Sequence, residues 1–278
     1  MDPVRKALWF VESHSGDRLS LEEIARACHV SAYHLTRAFA ATTRLSLMRY
    51  VRARRLTGAA RQLAAGATDI LRVALDSGYG SHEAFSRAFK EQFSLTPEQV
   101  RAQGGLDTLT LMEPITMETT TLPELAPPRF ETKPAMTLAG RVERYNCQSP
   151  AGIPAQWQRF GPYIGRIPSQ TGRSAYGACY NFDEDINFDY MSGVEVQGGA
   201  GATLPEGLVR LDLPEQKYVI FRHAGHIAGI RGTLAAIWSK WFPESGCEPA
   251  KKPTLEHYGP EFSATTGLGG VEIWIAIL

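Results

Sequence analysis

The chain has 278 residues, room for two domains that each bury a core. At 44% hydrophobic and 21% charged residues it reads as globular, and no apolar run approaches the ~18 residues a membrane helix needs. Its formal net charge of +0 hides an asymmetry: residues 1–106 carry 15 Lys and Arg against 10 Asp and Glu, and the remainder 14 against 19. The charged start MDPVRKALWFVESHSGD lacks the apolar segment of a signal peptide, so a cytoplasmic location is expected. Cys28, Cys147, Cys179 and Cys247 form no CxxC pair, which argues against a zinc site or a disulfide framework; no metal or cofactor is expected.

Taken in chain order, residues 1–106 read as all helical. Ser20-Leu21-Glu22-Glu23 and Thr96-Pro97-Glu98-Gln99 fit capping boxes, a long helical pattern runs over 47–65 until Gly66, and Gly78 ends a short helix over 69–76. A repeat near fifty residues aligns Ser31, Leu35, Arg37, Ala38 and Phe39 with Ser81, Phe85, Arg87, Ala88 and Phe89. Each copy follows a short helix and a tight turn, which predicts two helix-turn-helix units. Leu35 and Phe39 face a core, so Tyr33, Thr36 and Arg37 share the outer face, as His82, Glu83, Ser86 and Arg87 do in the second copy. Thirteen of the 15 N-terminal cations are Arg, suited to guanine edges and phosphates. Arg52, Arg54, Arg55 and Lys90 either bind phosphates or pair internally, and Arg54 is a candidate brace for the long helix. Glu83 either accepts from a cytosine amino group or repels phosphate.

Gly, Thr and Pro over 107–134 predict a linker, and 135–278 read as an α+β domain. Alternating runs at 217–221 and 271–275 predict strands, and helical patterns lie near 155–164 and 229–241. A fainter repeat of about 78 residues matches Tyr180 with Tyr258, and Val194-Glu195-Val196 with Val271-Glu272-Ile273. Two strand-helix-strand-strand halves then pair into one antiparallel sheet with both helices on one face and a cleft between the halves. Glu256 and Tyr258 share a strand face, as do Glu272 and Trp274; with Tyr145, Trp157, Phe160 and Tyr163 they offer the rings and carboxylates that an apolar cation requires. The competing reading is an aromatic core with solvent-facing glutamates. His223 and His226, beside Gly225, read as structural.

Leu21-x-x-Ile24-Ala25, Ser31-x-x-His34-Leu35-x-Arg37-x-Phe39, Tyr50-x-x-x-Arg54-Arg55-Leu56 and Ala84-Phe85-Ser86-Arg87-Ala88-Phe89-Lys90, with Phe93-x-x-Thr96-Pro97, resemble the DNA-binding domain of the AraC/XylS family over about 5–102. His29, Arg44 and Ser94 stand where that pattern has glycine. Phe188-x-Tyr190-x-x-Gly193-Val194-Glu195, Tyr218-x-x-x-x-His223-x-Gly225, Pro253-x-Leu255-Glu256-x-Tyr258 and Glu272-Ile273-Trp274-Ile275 resemble the GyrI-like effector-binding domain, with Ala276 in place of a frequent Pro. The domain order resembles Rob-type regulators. The resemblance implies a ligand-responsive, sequence-specific transcription regulator of a multidrug or stress promoter, with promoter DNA, RNA polymerase and a small effector, apolar or cationic, as partners. It assigns base contacts to Tyr33, Thr36 and Arg37 and the pocket carboxylate to Glu256. One protein molecule is expected to place both recognition helices in successive major grooves, about 34 Å apart. Some GyrI-like domains are hydrolases that use a pocket Glu and Tyr as base and acid; that activity, or sequestration of a toxic compound, is the alternative, and no catalytic residue is assigned.

Overall fold

The computed structural model describes residues 2–14, 16–117, 122–197 and 203–278. The chain divides into two compact units, Met1–Thr36 with Leu45–Thr120, and Arg37–Arg44 with Thr121–Leu278.

Seven helices come first: α1 (Pro3–Ser13), α2 (Leu21–Cys28), α3 (Ala32–Thr43), α4 (Leu47–Ala64), α5 (Ile70–Asp76), α6 (His82–Phe93) and α7 (Pro97–Gln103). Their starts follow from local chemistry. Ser20 and Thr96 close the two capping boxes with Glu23 and Gln99. The repeated serines cap their helices alike, Ser31 accepting from the His34 N–H and Ser81 from the Ala84 N–H, each at 3.2 Å. The pairs α2–α3 and α5–α6 are the two helix-turn-helix units. His29, Arg44 and Ser94 take left-handed backbone with φ of 60°, 61° and 59°, where an L side chain is strained.

Leu56, Leu63, Val73, Phe85, Phe89 and Val100 form a buried cluster joining α4 to the second helix-turn-helix. Leu106, Leu109 and Leu111 pack against it. Met112 is tied to α4 at both backbone groups: its N–H donates to Thr57 Oγ1 at 3.0 Å and its carbonyl accepts from Arg54 at 2.6 Å. Arg61 pairs with Glu113 at 2.6 Å. The start of the expected linker therefore lies along α4. Arg54 also grips Glu12 at 2.6 and 2.8 Å, acting as a brace.

The second unit holds one antiparallel sheet of eight strands, β1 (Arg129–Lys133), β2 (Met136–Asn146), β3 (Gln170–Tyr180), β4 (Asn187–Val196), β5 (Val209–Leu213), β6 (Gln216–His223), β7 (Thr254–Tyr258) and β8 (Val271–Ala276), in the order β1-β6-β8-β7-β3-β4-β2-β5. Strand β1 falls inside the stretch expected to be linker. The sheet must curl. Strands β5 and β6 lie six positions apart, about 29 Å if flat, yet only Pro214 and Glu215 connect them, a reach of about 11 Å.

The two halves are β2-α8-β3-β4 and β6-α9-β7-β8, with α8 at Ile153–Phe160 and α9 at Ile230–Ala236, the latter prolonged by a π turn over Ile237–Trp241 and a last turn over Phe242–Ser245. They meet where β3 pairs β7. Lateral pairing puts Phe221, Ile273, Glu256, Gly177 and Ser192 on one face. Helix α8 reaches that face through Gln156 and Ser192, and Trp241 does so against Phe221 with ring centroids 4.9 Å apart, so both helices cover it. The opposite face carries the buried cluster of Leu138, Tyr176, Met191, Leu255 and Trp274.

Candidate ligand site and nucleic-acid interface

On α3, Tyr33, Thr36 and Arg37 fall on the outer side of buried Leu35 and Phe39, as helical spacing requires. The Thr36 hydroxyl donates to the Ala32 carbonyl at 2.9 Å. Arg37 groups with the second unit, and its guanidinium lies over the Phe182 ring, 3.7 Å from the centroid. On α6, Glu83, Arg87 and Lys90 are exposed, and His82 approaches Glu98 at 3.3 Å. Two other residues expected to face DNA are held differently. Ser86 turns its hydroxyl inward, buried and without a partner among the described residues. Arg55 is half-buried, donates to the Asp17 carbonyl and lies against Gly78; burial pushes its guanidinium below the usual range.

The chemistry of the second unit converges on Glu256, at the seam between the halves. Tyr190 from β4 and Tyr258 from β7 both donate to Glu256 Oε2, at 2.7 and 2.8 Å. Trp157 of α8 donates its Nε1–H to the Tyr190 hydroxyl at 2.9 Å, and since an ionised carboxylate can only accept, the Tyr190 proton is directed to Glu256. Among the described residues none donates to Oε1, and Glu256 as a residue is half-buried. Burial pushes the Glu256 carboxyl above its ordinary range against the pull of the two phenols, and the same burial, with Glu256 beside them, lifts both phenols far above theirs.

Space for this cluster comes from Gly177, directly between Glu256 and Ser192 on the sheet. A Cβ there would stand 2.7 Å from Glu256 Oε2 and collide with the Tyr190 hydroxyl. The Trp157 and Tyr258 rings meet edge to face at 5.1 Å, and Tyr145 stands 6.4 Å from Tyr190 with its hydroxyl on Glu143 at 3.0 Å. Trp157, Tyr145, Tyr190, Tyr258 and a carboxylate thus share one region. Phe160 is fully buried with Ala139 and Val194, and Tyr163 stacks on it, so these two belong to the core behind Trp157.

Glu272 and Trp274 do not join Glu256. Glu256 pairs Ile273 across the β7–β8 ladder, which puts Glu272 and Trp274 on the other face. There Glu272 accepts from Arg129 at 2.8 Å, Trp274 Nε1 at 3.0 Å and His257 Nδ1 at 3.1 Å. Burial works against its ionised form, yet Arg129 and the Trp274 N–H hold its carboxyl down to about 2. His223 is a satisfied core histidine, with Thr233 on Nδ1 at 2.8 Å and the His226 carbonyl on Nε2 at 2.9 Å. Sequence reasoning passed over Tyr190, Gly177 and Gln156. For Tyr190 the signal was present, since Phe188-x-Tyr190 alternates toward the helix-covered face.

No helix among the described residues is long and apolar enough to cross a membrane, and none of their His, Cys, Asp and Glu side chains form a group of three suited to a metal.

Comparison with known proteins agrees with both units. The model of the GyrI-like small molecule binding domain matches residues 126–278, and that of a helix-turn-helix domain matches residues 24–103. The right origin-binding protein of Escherichia coli (strain K12) is 26% identical over 272 residues, covering 95% of this chain and 92% of its own length. The transcriptional regulator BrlR of Pseudomonas aeruginosa is 33% identical over 135 residues, 48% of each chain, and the regulatory protein SoxS of Escherichia coli (strain K12) is 33% identical over 98 residues, 35% of this chain and 92% of its own.

Proposed function

Since this chain belongs to the GyrI-like small molecule binding domain family and joins that domain to an AraC-type helix-turn-helix domain as a DNA-binding transcription regulator, we propose that its effector is an apolar aromatic cation held by Glu256. The observation that carries this reading is the carboxylate at the seam, with both phenol protons on Oε2 and Oε1 left for a ligand. A carboxylate among rings is costly when unpaired, and a delocalised cation relieves that cost while the faces of Trp157 and Tyr145 attract it. The acidic charge of the residues after 106 favours cation entry.

On the DNA side the proposed base readers are Tyr33, Thr36 and Arg37 of α3 with His82, Glu83 and Arg87 of α6, and Lys90 is a phosphate contact. To reach a groove with these groups, Thr36 leaves the Ala32 carbonyl, Arg37 the Phe182 ring and His82 its contact with Glu98; Ser86, whose hydroxyl is buried, and Arg55, held on the Asp17 carbonyl, rank below them. We place the chain in the cytoplasm, acting on promoter DNA together with RNA polymerase. The domain binds without turnover in this reading: Tyr190 and Tyr258 commit their protons to Glu256, which leaves no free acid to pair with it as a base.

The test is calorimetry of the full chain with methyltriphenylphosphonium and with neutral triphenylphosphine oxide, in wild type and in Glu256→Gln. The cation is expected to bind wild type more tightly, and the substitution to weaken it by about 2–4 kcal/mol with little change for the neutral compound. Equal affinity of both proteins for the cation would overturn the assignment.

A further inference from the structure

Helix α8 is only 8 residues long and has no side-chain cap at its start, so it depends on what it packs against. Phe160 anchors its last turn in the apolar cluster with Ala139 and Val194. Gln156 anchors the middle in another way. Its side chain is fully buried, and Nε2 lies within reach of three acceptors on the sheet: the Arg141 carbonyl at 2.7 Å, the Tyr190 carbonyl at 3.0 Å and Ser192 Oγ at 3.2 Å. The amide has two N–H groups for three acceptors, and Oε1 is buried with no donor among the described residues. An apolar side chain of the same volume would take this donor away from both carbonyls, but the amide supplies it only by leaving its own Oε1 unmet, so satisfying the sheet is not by itself a sufficient reason for an amide here.

The reason lies one residue on. Trp157, in the same turn, holds the Tyr190 hydroxyl, while Gln156 holds the Tyr190 carbonyl. One turn of α8 thus grips both ends of the tyrosine that donates to Glu256. We infer that Gln156 is a positioning residue of the ligand site: it sets the height and rotation of α8 so that Trp157 aims the Tyr190 proton at Glu256. The inference rests on the reading of Glu256 as the ligand's carboxylate, and it gives Gln156 control over the charge state in which that carboxylate meets a cation.

The groups facing Glu256 are Tyr190 on β4, Tyr258 on its own strand, Cys179 on β3 and His223 on β6. Burial holds the two phenols and the thiol well above their ordinary ranges, and a His223→Asn control separates the imidazole. Affinity of the full chain for methyltriphenylphosphonium is measured from pH 4 to 9. In wild type it rises with pH as Glu256 ionises. In Gln156→Met the Tyr190 proton is no longer aimed, burial acts on Glu256 with less opposition, and the midpoint of the rise moves up by about one pH unit. Affinity above the midpoint stays within about threefold, because the carboxylate remains. If the Met variant does not fold, Gln156→Asn, which withdraws the amide by one carbon, carries the same expectation.

Loss of affinity or of thermal stability with an unmoved midpoint would show Gln156 to be structural only and would overturn the inference while leaving Glu256 in place. A flat wild-type profile, or Glu256→Gln binding the cation like wild type, would instead remove the carboxylate reading and this inference with it.

Discussion

Glu256 gives the sharpest expectations at the scale of single residues. Its folded carboxyl is raised above the ordinary 4.5, so the native chain holds a proton that the unfolded chain has released, and stability falls as pH rises from about 4.5 through the folded value. Glu256→Gln is therefore expected to raise the melting temperature at pH 8 and to leave it nearly unchanged at pH 4; a variant less stable at pH 8 would contradict the buried-charge picture. Gly177→Ala is expected to cost about 1–3 kcal/mol of stability and to weaken cation binding, because the new methyl group occupies the space of the Tyr190–Glu256 contact. At the tight turn after α6, Ser94→Gly is expected to stabilise the chain by about 0.5–1 kcal/mol in chemical denaturation, since glycine adopts its φ of 59° without strain. The sequence flagged Ser94, Arg44 and His29 as misfits to a glycine pattern, and the backbone keeps the pattern while the side chains bear the strain. Gly177 and Gln156 left no such mark, because their roles depend on which strand lies beside which.

Among elements, periodicity reached as far as its physics allows. A period of two put Glu256 with Tyr258 and Glu272 with Trp274, yet it could not say whether the two pairs share a face; the pairing of Glu256 with Ile273 decides that, and register is not written in either strand alone. The capping boxes and both helix-turn-helix units were legible because their signals are local. The stretch after α7 was not, since its Gly, Thr and Pro composition speaks of linker while Leu106, Leu109 and Leu111 speak of burial only once α4 is in place. The Arg54 brace makes this attachment testable. Arg54→Met is expected to cost about 2–4 kcal/mol at pH 7, removing contacts to Glu12 and to the Met112 carbonyl. Arg54 holds the Glu12 carboxyl below its ordinary 4.5, so that part of the loss is present above this pH and shrinks as the solution is acidified through the folded value. Equal losses in urea titrations at pH 7 and pH 3 would show that packing, and no ion pair, accounts for the effect.

For the whole molecule, the split of charge between basic residues 1–106 and an acidic remainder suggests DNA as the partner of the first part and something else for the second. Composition does not supply the link between them; under the proposed function a cation on Glu256 changes affinity for DNA, and by reciprocity DNA changes affinity for the cation. The decisive measurement is selection of a preferred duplex from random DNA by the full chain, followed by its dissociation constant with and without saturating methyltriphenylphosphonium, in wild type and in Glu256→Gln. The account predicts that one sequence family is enriched and that the cation changes wild-type affinity for it by about 5-fold or more while leaving the variant unmoved. Enrichment of no sequence, or the same response to the cation in both proteins, would contradict it.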